Sequence, residues 1–325
     1  MKEIGGYFEL DRYNGSIFHE GAVALNCGRN CLAYLIKTKR IKKLYLPYFC
    51  CDSVAQPCRK YGVKTERYHI GADFRPVFGN VLGADEWLYI VNFYGQIRND
   101  EVEAWQREFK RVIFDNAQAY FQKPVHGTDT LYTCRKFFGV ADGGFLYTQA
   151  RMDGLERDES FDRMRFVLGR YERTANEFYK ESVDNNNFFA DEPVKLMSKL
   201  TMNLLRGIDY KVVERRRSEN FKYMHVRLRE KNKLDLTIPT GAYMYPLYCE
   251  NGTLIRKKLR AQNIYIPTLW PDVINNCNPE TLEYEYAANI LPLPVDQRYE
   301  IGNMEYLISF LERYIKEHVK AIEKM

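Results

Sequence analysis

Lys136 is the residue of this chain whose type and surroundings most directly suggest covalent chemistry. It lies between Arg135 and two phenylalanines, shortly before the turn Asp142-Gly143-Gly144. Most lysines extend their charged ends into solvent, so an arbitrary lysine is usually a surface charge. A lysine that aromatic neighbours keep from water can lose its proton near neutral pH and attack a carbonyl group. Lys136 is therefore a candidate Schiff-base lysine.

Asp115 is a second candidate, because it ends the apolar run Val112–Phe114 and precedes the segment Asn116–Gln118. A buried carboxylate is costly unless a cation or several hydrogen-bond donors meet it. A structural ion pair or a helix cap would also explain such a residue, and both interpretations stay open on this feature alone.

Two further features precede these residues in the chain. The segment Asn26–Asn30 contains a glycine and leads into a helix predicted at Cys31–Lys37. A glycine turn at a helix N-terminus offers free N–H groups to an anion such as phosphate. The segment Pro47–Phe49 places aromatic rings just after a predicted strand, where core packing is their usual role. Neither feature identifies a ligand by itself.

Together the four features fit one ligand. A phosphate would lie at Gly28, an aromatic ring against Phe49, a ring nitrogen opposite Asp115, and an aldehyde within reach of Lys136. Pyridoxal 5'-phosphate combines these groups in one molecule. The sequence therefore predicts a pyridoxal phosphate site with Lys136 and Asp115 as its catalytic residues.

The elements that must position these residues alternate along the first half of the chain. Four short apolar runs read as strands, and the stretches between them have helical patterns; two more strands are predicted later. The strands are Lys43–Leu46, Lys64–His69, Trp87–Val91, Arg111–Phe114, Leu131–Thr133 and Gly144–Tyr147, and the helices are Asp52–Tyr61 and Asp100–Lys110. This alternation predicts an α/β fold with a parallel sheet covered on both faces. Sites in such sheets lie beyond the carboxyl ends of the strands.

The second half of the chain has a different pattern of apolar and charged residues. Met152–Tyr223 is helical and charged, with a loop expected at the polar run Asp184–Asn187. Later short strands and two helices predict a smaller α/β domain. The strands are expected around Leu236–Pro239, Ala242–Leu247, Ile264–Pro267 and Ile290–Pro294, and the helices at Gly252–Gln262 and Met304–Glu323. We expect a large cofactor-binding domain over residues 1–212 and a small C-terminal domain over residues 213–325.

Composition excludes several classes of protein. The 325 residues are 46% hydrophobic, enough for a large core, and the net charge of +5 is too small to indicate nucleic-acid binding. No apolar run approaches the roughly 20 residues of a membrane helix, and residues 1–6 do not resemble a signal peptide. The eight cysteines lack metal-ligand spacing, so no metal site is expected. Reduced thiols indicate the cytoplasm.

Several motifs of the chain are similar to those of the DegT/DnrJ/EryC1/StrS family of aminotransferases. The resemblance covers nearly the whole chain. The matching segments are Val91–Gln96 (V-N-F-Y-G-Q), Val112–Ala119 (V-I-F-D-N-A-Q-A), Thr133–Lys136 (T-C-R-K), Asp142–Gly144 (D-G-G), Met197-Ser198 and Arg216–Phe221 (R-R-S-E-N-F). It implies fold type I of the pyridoxal phosphate-dependent transferases, the aspartate aminotransferase-like architecture, with a mostly parallel sheet of the seven-stranded type.

The resemblance also implies roles for individual residues. Lys136 would bind the cofactor covalently, Asp115 would keep the pyridine nitrogen protonated, and Gln118 would contact the ring hydroxyl. Phe49 would stack on the ring. The phosphate would be bound by the backbone N–H groups of Gly28, Arg29 and Asn30 and by the hydroxyl of Thr133.

The implied activity is that of a homodimeric nucleotide-sugar aminotransferase in polysaccharide synthesis, with glutamate as amino donor. The chain departs from the family pattern in its Gly28-Arg29-Asn30-Cys31 loop and has no clear match to the asparagine segment that precedes Met197. Two alternatives therefore stay open. One is a catalytically silent homologue with a regulatory role; the other is a non-transaminating enzyme such as a dehydratase, although dehydratase relatives carry histidine in place of Lys136.

The N-terminal segment Gly5–Leu10 contains two glycines followed by Tyr7 and Phe8. Its apolar residues need a surface to cover them, so we expect a packed strand or arm rather than disorder. A sharper hypothesis places the arm at the active-site mouth, where Tyr7 would contact the substrate, because sugars and bases both stack on aromatic faces.

Overall fold

A mostly parallel sheet forms the centre of the larger part of the molecule. The computed structural model describes residues 4–322 and the side chains of residues 4–314. The strands of the sheet are β1 (Val23–Leu25), β2 (Lys43–Pro47), β3 (Lys64–Ile70), β4 (Pro76–Val77), β5 (Glu86–Val91), β6 (Val112–Asp115), β7 (Asp129–Thr133) and β8 (Gly144–Tyr147). The strand order is β1-β8-β7-β6-β5-β2-β3-β4. The five adjacent strands β7, β6, β5, β2 and β3 are parallel to one another. Strands β1 and β8 pair antiparallel, β8 is antiparallel to β7, and β4 is antiparallel to β3.

Helices cover this sheet, and a second, two-stranded sheet lies in the C-terminal part. The helices are α1 (Gly28–Lys39), α2 (Asp52–Lys60), α3 (Asn99–Phe109), α4 (Arg165–Glu172), α5 (Tyr179–Phe188), α6 (Lys199–Arg206), α7 (Tyr210–Leu228), α8 (Gly252–Arg260), α9 (Pro271–Asn276), α10 (Leu282–Asn289) and α11 (Ile301–Ile322). Strands β9 (Met244–Tyr248) and β10 (Ile290–Pro294) pair antiparallel. No helix within residues 4–322 is long and apolar enough to cross a membrane.

The predicted α/β class and the parallel sheet are confirmed, with eight strands where seven were expected. The extra strand is the two-residue edge strand β4, which is too short to give a sequence pattern. Strands β2, β5 and β6 are almost entirely buried, as expected for strands covered on both faces, so their apolar runs were easy to recognise.

Three local predictions were wrong. The polar run Asp184–Asn187 lies inside helix α5, where the side chain of Asn185 is buried and donates to the carbonyl oxygen of Ala141 at 2.8 Å. The segment Leu236–Pro239 is extended but not part of a sheet, since Thr237 donates its N–H to the side chain of Gln96 instead. Residues 264–267 form a loop after helix α8, where the N–H of Ile264 bonds to Leu259.

The boundary expected between residues 212 and 213 falls within helix α7, near its N-terminus. The helix carries Arg217, whose buried guanidinium donates to the carbonyl oxygens of Ala242 and Phe137 at 2.9 and 3.2 Å. Helix α7 therefore links the C-terminal part to the segment that follows Lys136. The division at residue 212 stays a prediction.

A buried turn at Asp142 and Gly143 joins three parts of the chain. The carboxylate of Asp142 accepts hydrogen bonds from the N–H and hydroxyl of Ser198 at 2.8 and 2.7 Å, and from the hydroxyl of Thr201. Gly143 donates its N–H to Asn26 and accepts from the N–H of Cys134. Its φ of 120° favours glycine. This turn fixes the start of α6 relative to the segments before Gly28 and before Lys136.

We expect Asp142→Ala to lower the free energy of unfolding by about 3 kcal/mol, because it leaves several buried donors without an acceptor. Chemical denaturation of the purified variant measures this loss. Asp162→Ala is the matched control, since the Asp162 side chain is 69% exposed, and its effect should stay within about 0.5 kcal/mol. Equal losses in both variants would show that the Asp142 turn does not stabilise the fold.

Candidate functional site

A cavity lies at the carboxyl ends of β5, β6 and β7, between these strands and the start of α1. Six of the residues predicted from the sequence line it, namely Gly28, Arg29, Asp115, Gln118, Thr133 and Lys136. They come from widely separated parts of the chain and meet because parallel strands end at the same edge of the sheet.

Asp115 forms the floor of this cavity at the end of β6. Its side chain is 6% exposed. One carboxylate oxygen accepts from the hydroxyl of Tyr89 at 2.7 Å, and the other accepts from the N–H of Ala117 at 2.7 Å. Burial raises the pKa of Asp115, and the positive charge of Lys136 opposes that rise. A further cation in the cavity would therefore be stabilised strongly by this carboxylate.

The N-terminus of α1 forms the opposite end of the cavity. The helix begins at Gly28 after Cys27, which provides no side-chain cap. The N–H groups of Gly28, Arg29 and Asn30 precede that of Cys31, which is the first to bond to a carbonyl oxygen of the helix, and those of Arg29 and Asn30 lie near the Cys27 thiol. They carry the positive end of the helix dipole. Thr133 lies against this turn: a Cβ atom added to Gly28 would be 4.0 Å from the Cβ atom of Thr133. This end suits a phosphate.

The side chains of Arg29 and Asn30 take other partners. Arg29 donates from Nε to Gln56 at 2.8 Å and from its terminal nitrogens to Asn186 at 3.4 and 3.5 Å. The buried amide of Asn30 donates to Asn26 and to the carbonyl oxygen of Pro193. Only the backbone of Asn30 is thus available to a ligand, which is the role predicted for it.

The environment of Lys136 differs from the expected aromatic enclosure. The side chain of Lys136 is exposed, and its Nζ lies 5.6 Å from the centre of the Tyr243 ring. The rings of Phe137 and Phe138 are buried in a cluster with Tyr120, and Phe137 also contacts the ring of Tyr243. The backbone beside Lys136 is held firmly, however, because Arg217 and Gln297 both donate to the carbonyl oxygen of Phe137.

Gln118 lines the cavity with its amide group. Its carbonyl oxygen accepts from the N–H of Tyr94 at 2.8 Å, which leaves the amide nitrogen facing the cavity as a donor. Tyr94 has a φ of 54°, a conformation that non-glycine residues rarely adopt. The bond from Tyr94 fixes which end of the Gln118 amide faces a ligand.

The structure does not place Phe49 in the cavity, where the prediction had it stacking on a ring. Phe49 is 1% exposed. The centre of its ring lies 4.4 Å from that of Trp270 and 5.2 Å from that of Phe93. Trp270 and Phe93 themselves line the cavity, together with Cys50 and Cys51. Phe49 was misplaced because the sequence does not tell which residue after a strand end turns outward.

Two residues of the site were missed from the sequence. Tyr89 lies inside the apolar run of β5, where its hydroxyl contact with Asp115 gives no sequence signal. Trp270 comes from the C-terminal part and adopts a φ of 60° directly before Pro271. A tryptophan followed by proline indicates a fixed turn, and this was the available signal.

Tyr7 does not line this cavity. Its side chain is 99% exposed, and residues 5–10 around it are exposed throughout. The expected packing of the arm against its own domain is therefore not observed.

No family model and no curated protein sequence matches this chain, but solved structures do. A DegT DnrJ EryC1 StrS aminotransferase from Brucella abortus superposes with a TM-score of 0.61 at 14% identity, covering 90% of this chain and 85% of that one. DesI, solved in the presence of its TDP-sugar product, has a TM-score of 0.62 at 13% identity, covering 94% and 83%. NtdA from Bacillus subtilis, with bound cofactor PMP, has a TM-score of 0.63 at 11% identity, covering 91% and 73%.

The chain has the fold of these aminotransferases. The expectation of a fold-type-I architecture is thereby confirmed, although the identity is too low to carry over activity by itself. The chemistry must be argued from the residues of the cavity.

Proposed function

We propose that this chain is a pyridoxal 5'-phosphate-dependent aminotransferase. The observation that carries the proposal is the arrangement of three groups around one cavity: an uncapped helix start at Gly28, the buried carboxylate of Asp115 and the amine of Lys136. Each matches one part of the cofactor, which has an anionic phosphate, a basic ring nitrogen and an aldehyde. The residues present therefore fit the cofactor.

Bound pyridoxal phosphate supplies an electron sink that lets the α-proton of an amino acid be removed. The N–H groups of Gly28, Arg29 and Asn30 and the hydroxyl of Thr133 would bind the phosphate. Asp115, oriented by Tyr89 and Ala117, would hold a proton on the ring nitrogen and keep it positively charged. Lys136 would hold the aldehyde carbon through Nζ and, once released by the donor, would carry the proton between carbon atoms.

We further propose that the acceptor is a nucleotide-linked keto sugar and that glutamate is the donor, for polysaccharide synthesis in the cytoplasm. Two observations support an anionic, extended acceptor. DesI was solved with a TDP-sugar product. In this chain, a second cavity beside Lys136 is lined by Arg135, Arg170 and Arg217, and by Arg298, which pairs with Asp296 in the same cavity. This excess of cationic side chains suits a diphosphate.

The absorption spectrum of the purified protein tests this proposal. With pyridoxal phosphate added, we expect a visible band that glutamate bleaches and that a keto sugar nucleotide restores. Alanine in place of glutamate tests the donor. A band that no amino acid changes would support the silent homologue, and loss of ammonia or water without amino transfer would support a non-transaminating enzyme.

Tyr7→Ala is expected to raise KM for the keto sugar several-fold while the half-reaction with the amino donor stays nearly unchanged. Tyr7 is exposed and lines neither cavity among the described residues, so the proposed contact forms only when the arm stacks on a bound sugar nucleotide. Such a contact would contribute to acceptor binding and not to the chemistry of the smaller donor. Separate measurement of the two half-reactions gives the result. Equal losses in both halves would indicate a structural arm, and no loss in either would remove Tyr7 from the site.

A further inference from the structure

Two adjacent cysteines, Cys50 and Cys51, line the cavity that contains Asp115 and Lys136. Cys50 is 6% exposed, and Cys51 is half-buried. Among the described residues, no other cysteine lines this cavity. The two thiols therefore form a pair that one small ligand in the cavity can contact at the same time.

The sulfur atoms of this pair make few contacts with the rest of the chain. The Cys50 thiol donates to the carbonyl oxygen of Cys51 at 3.6 Å, and the Cys51 thiol contacts the hydroxyl of Ser53. Cys51 directly precedes helix α2, but its side chain does not cap that helix. Because thiols are weak donors and weak acceptors, neither contact competes strongly with a ligand of the sulfur atoms.

A disulfide bond between the two cysteines would be strained. Consecutive Cα atoms are about 3.8 Å apart, whereas the Cα atoms of a disulfide are usually about 4.4–6.8 Å apart. An atom that bridges the two sulfurs allows a wider spacing between them, since a bond from sulfur to a metal is about 2.3 Å long. The geometry of adjacent cysteines therefore favours a bridged pair over a disulfide.

The environment of Cys50 also favours binding over oxidation. Burial, together with the neighbouring Cys51, raises the pKa of the Cys50 thiol well above its usual range, although the positive charges of Arg67 and Lys136 oppose that rise. A thiol that keeps its proton is a poor nucleophile toward peroxides or alkylating agents. A thiophilic ligand displaces the proton when it binds, and the two nearby cations compensate the negative charge of the sulfur atoms.

The number of available sulfur atoms selects the kind of ligand. Among the side chains that the structure describes, no group of three or more histidine, cysteine or acidic residues is placed to hold a metal ion. Zinc usually takes three or four protein ligands, so this pair does not suit it. Cu(I) is among the soft ions that thiolates prefer, and two sulfur atoms can hold it. Trivalent arsenic compounds bind paired thiols for the same reason.

We propose that Cys50 and Cys51 form a binding site for a soft, thiophilic ligand, Cu(I) or a trivalent arsenical, which bridges their two sulfur atoms. Because the pair lies in the wall of the cavity with Asp115 and Lys136, an occupied site takes space that pyridoxal phosphate needs. Ligand and cofactor therefore exclude each other. The thiol site does not depend on the proposed function, whereas the exclusion of the cofactor rests on it.

Phenylarsine oxide tests the site on the cofactor-free protein. Its arsenic forms a bond to each sulfur, and its oxygen leaves as water with the two thiol protons, so no oxidant is needed. We expect one phenylarsenic group per chain by intact mass, located in the tryptic peptide 44–59. Dimercaptopropanol, a dithiol, should remove the group, whereas the monothiol mercaptoethanol should not. Equal removal by both reagents would show attachment to a single thiol and would overturn the proposal.

Serine substitutions locate the bound group. Cys51→Ser and, separately, Cys50→Ser should each lose the product that resists mercaptoethanol, since a bridge needs both sulfur atoms. Cys277→Ser is the matched control, because Cys277 is half-buried like Cys51 but does not line the cavity, and it should keep full labelling. If the buried Cys50→Ser protein does not fold, Cys51→Ser alone decides the result. Labelling that survives Cys51→Ser would overturn the proposal.

Cu(I) distinguishes the two kinds of ligand. It is added without oxygen to the cofactor-free protein, with bathocuproine as a coloured competitor for the ion. Cu(I) binding that Cys51→Ser removes and that blocks phenylarsine oxide would identify a metal site. Arsenical binding without Cu(I) binding would identify a site for arsenicals, and binding of neither would overturn the proposal.

Competition with pyridoxal phosphate tests the exclusion. Protein saturated with phenylarsine oxide should not gain the visible absorbance, and dimercaptopropanol should restore that gain. With the cofactor at about ten times its Kd, labelling should slow about ten-fold, because the cofactor-free fraction falls accordingly. Simultaneous binding of cofactor and arsenical would overturn the exclusion. If the protein gains no absorbance under any condition, the proposed function fails, but the labelling of the thiol pair still reports on this site.

Discussion

Lys136→Ala is expected to abolish turnover and to remove the visible absorbance that the protein gains with pyridoxal phosphate. The absorbance depends on a covalent bond to an amine, and Lys136 is the only lysine among the described residues that line the cavity. The proton transfer also needs an amine close to the donor carbon. The variant should still fold, because the exposed side chain of Lys136 makes no hydrogen bond among the described residues.

Absorption spectra and steady-state turnover measure both effects. Lys42→Ala is a suitable control, since Lys42 is exposed just before strand β2, at the opposite edge of the sheet from the cavity. The control should keep both properties. A Lys136→Ala protein that retains the absorbance and turnover would show that another amine holds the cofactor, and the assignment of Lys136 would be wrong.

Asp115→Asn is expected to lower kcat/KM by roughly a hundred-fold to several thousand-fold, since removal of one partner from a buried charge pair costs about 3–5 kcal/mol. Asparagine has the shape of aspartate, so it can accept from Ala117 and donate to Tyr89, whose hydroxyl can reverse its role. What is lost is the negative charge that keeps the ring nitrogen of the cofactor protonated.

The stability of the cofactor-free protein provides an independent check. Burial raises the pKa of Asp115, so the folded chain binds this proton more tightly than the unfolded chain does. Stability attributable to Asp115 therefore falls as pH rises above the unfolded pKa. Asp115→Asn should remove this loss, so that the variant equals or exceeds the wild type in stability at neutral pH while it loses activity.

A fall in kcat/KM of less than ten-fold would contradict the catalytic role and would show that Asp115 is a structural residue.

Asp129→Asn is the matched control for a buried carboxylate. Asp129 is 6% exposed, and it pairs with Lys39 and Thr148 at the start of β7, away from the cavity. This substitution should lower stability and leave kcat/KM close to that of the wild type. The two aspartates together separate the effect of losing a buried charge from the effect of losing it at the cofactor.

The sequence predicts the sheet and the strand-end residues because both follow from simple periodicity. The buried parallel strands β5 and β6 have continuous apolar runs, and Asp115 ends one of them. Gly28, Thr133 and Lys136 could be predicted in the same way, because each lies at the end of a strand or within a few residues after it. The cavity brings these residues together as predicted.

The remaining errors have a common physical origin in contacts between distant segments. Nothing near Phe49 in sequence indicates that its ring packs on Trp270, which is more than two hundred residues away. The same holds for Asn185, whose partner is the carbonyl oxygen of Ala141 and which lies in a helix rather than a loop. Tyr7 is a different case, because its side chain is 99% exposed and no described residue packs on it, although its apolar neighbours predicted a packed arm.

The buried turn at Asp142 and Gly143 has a consequence for how the protein is made on the ribosome. The turn holds Asn26, two residues before the end of the cavity at Gly28, and among the described residues its carboxylate accepts from Ser198 and Thr201. Strand β1 pairs with β8 and, at Leu25, with Leu196. A nascent chain therefore cannot complete the cavity until Thr201 has left the exit tunnel, although Lys136 emerges much earlier. On the proposed function, cofactor binding during translation must wait for helix α6 and then for Trp270, which also lines the cavity. Until then the nascent chain exposes an unfinished sheet to chaperones.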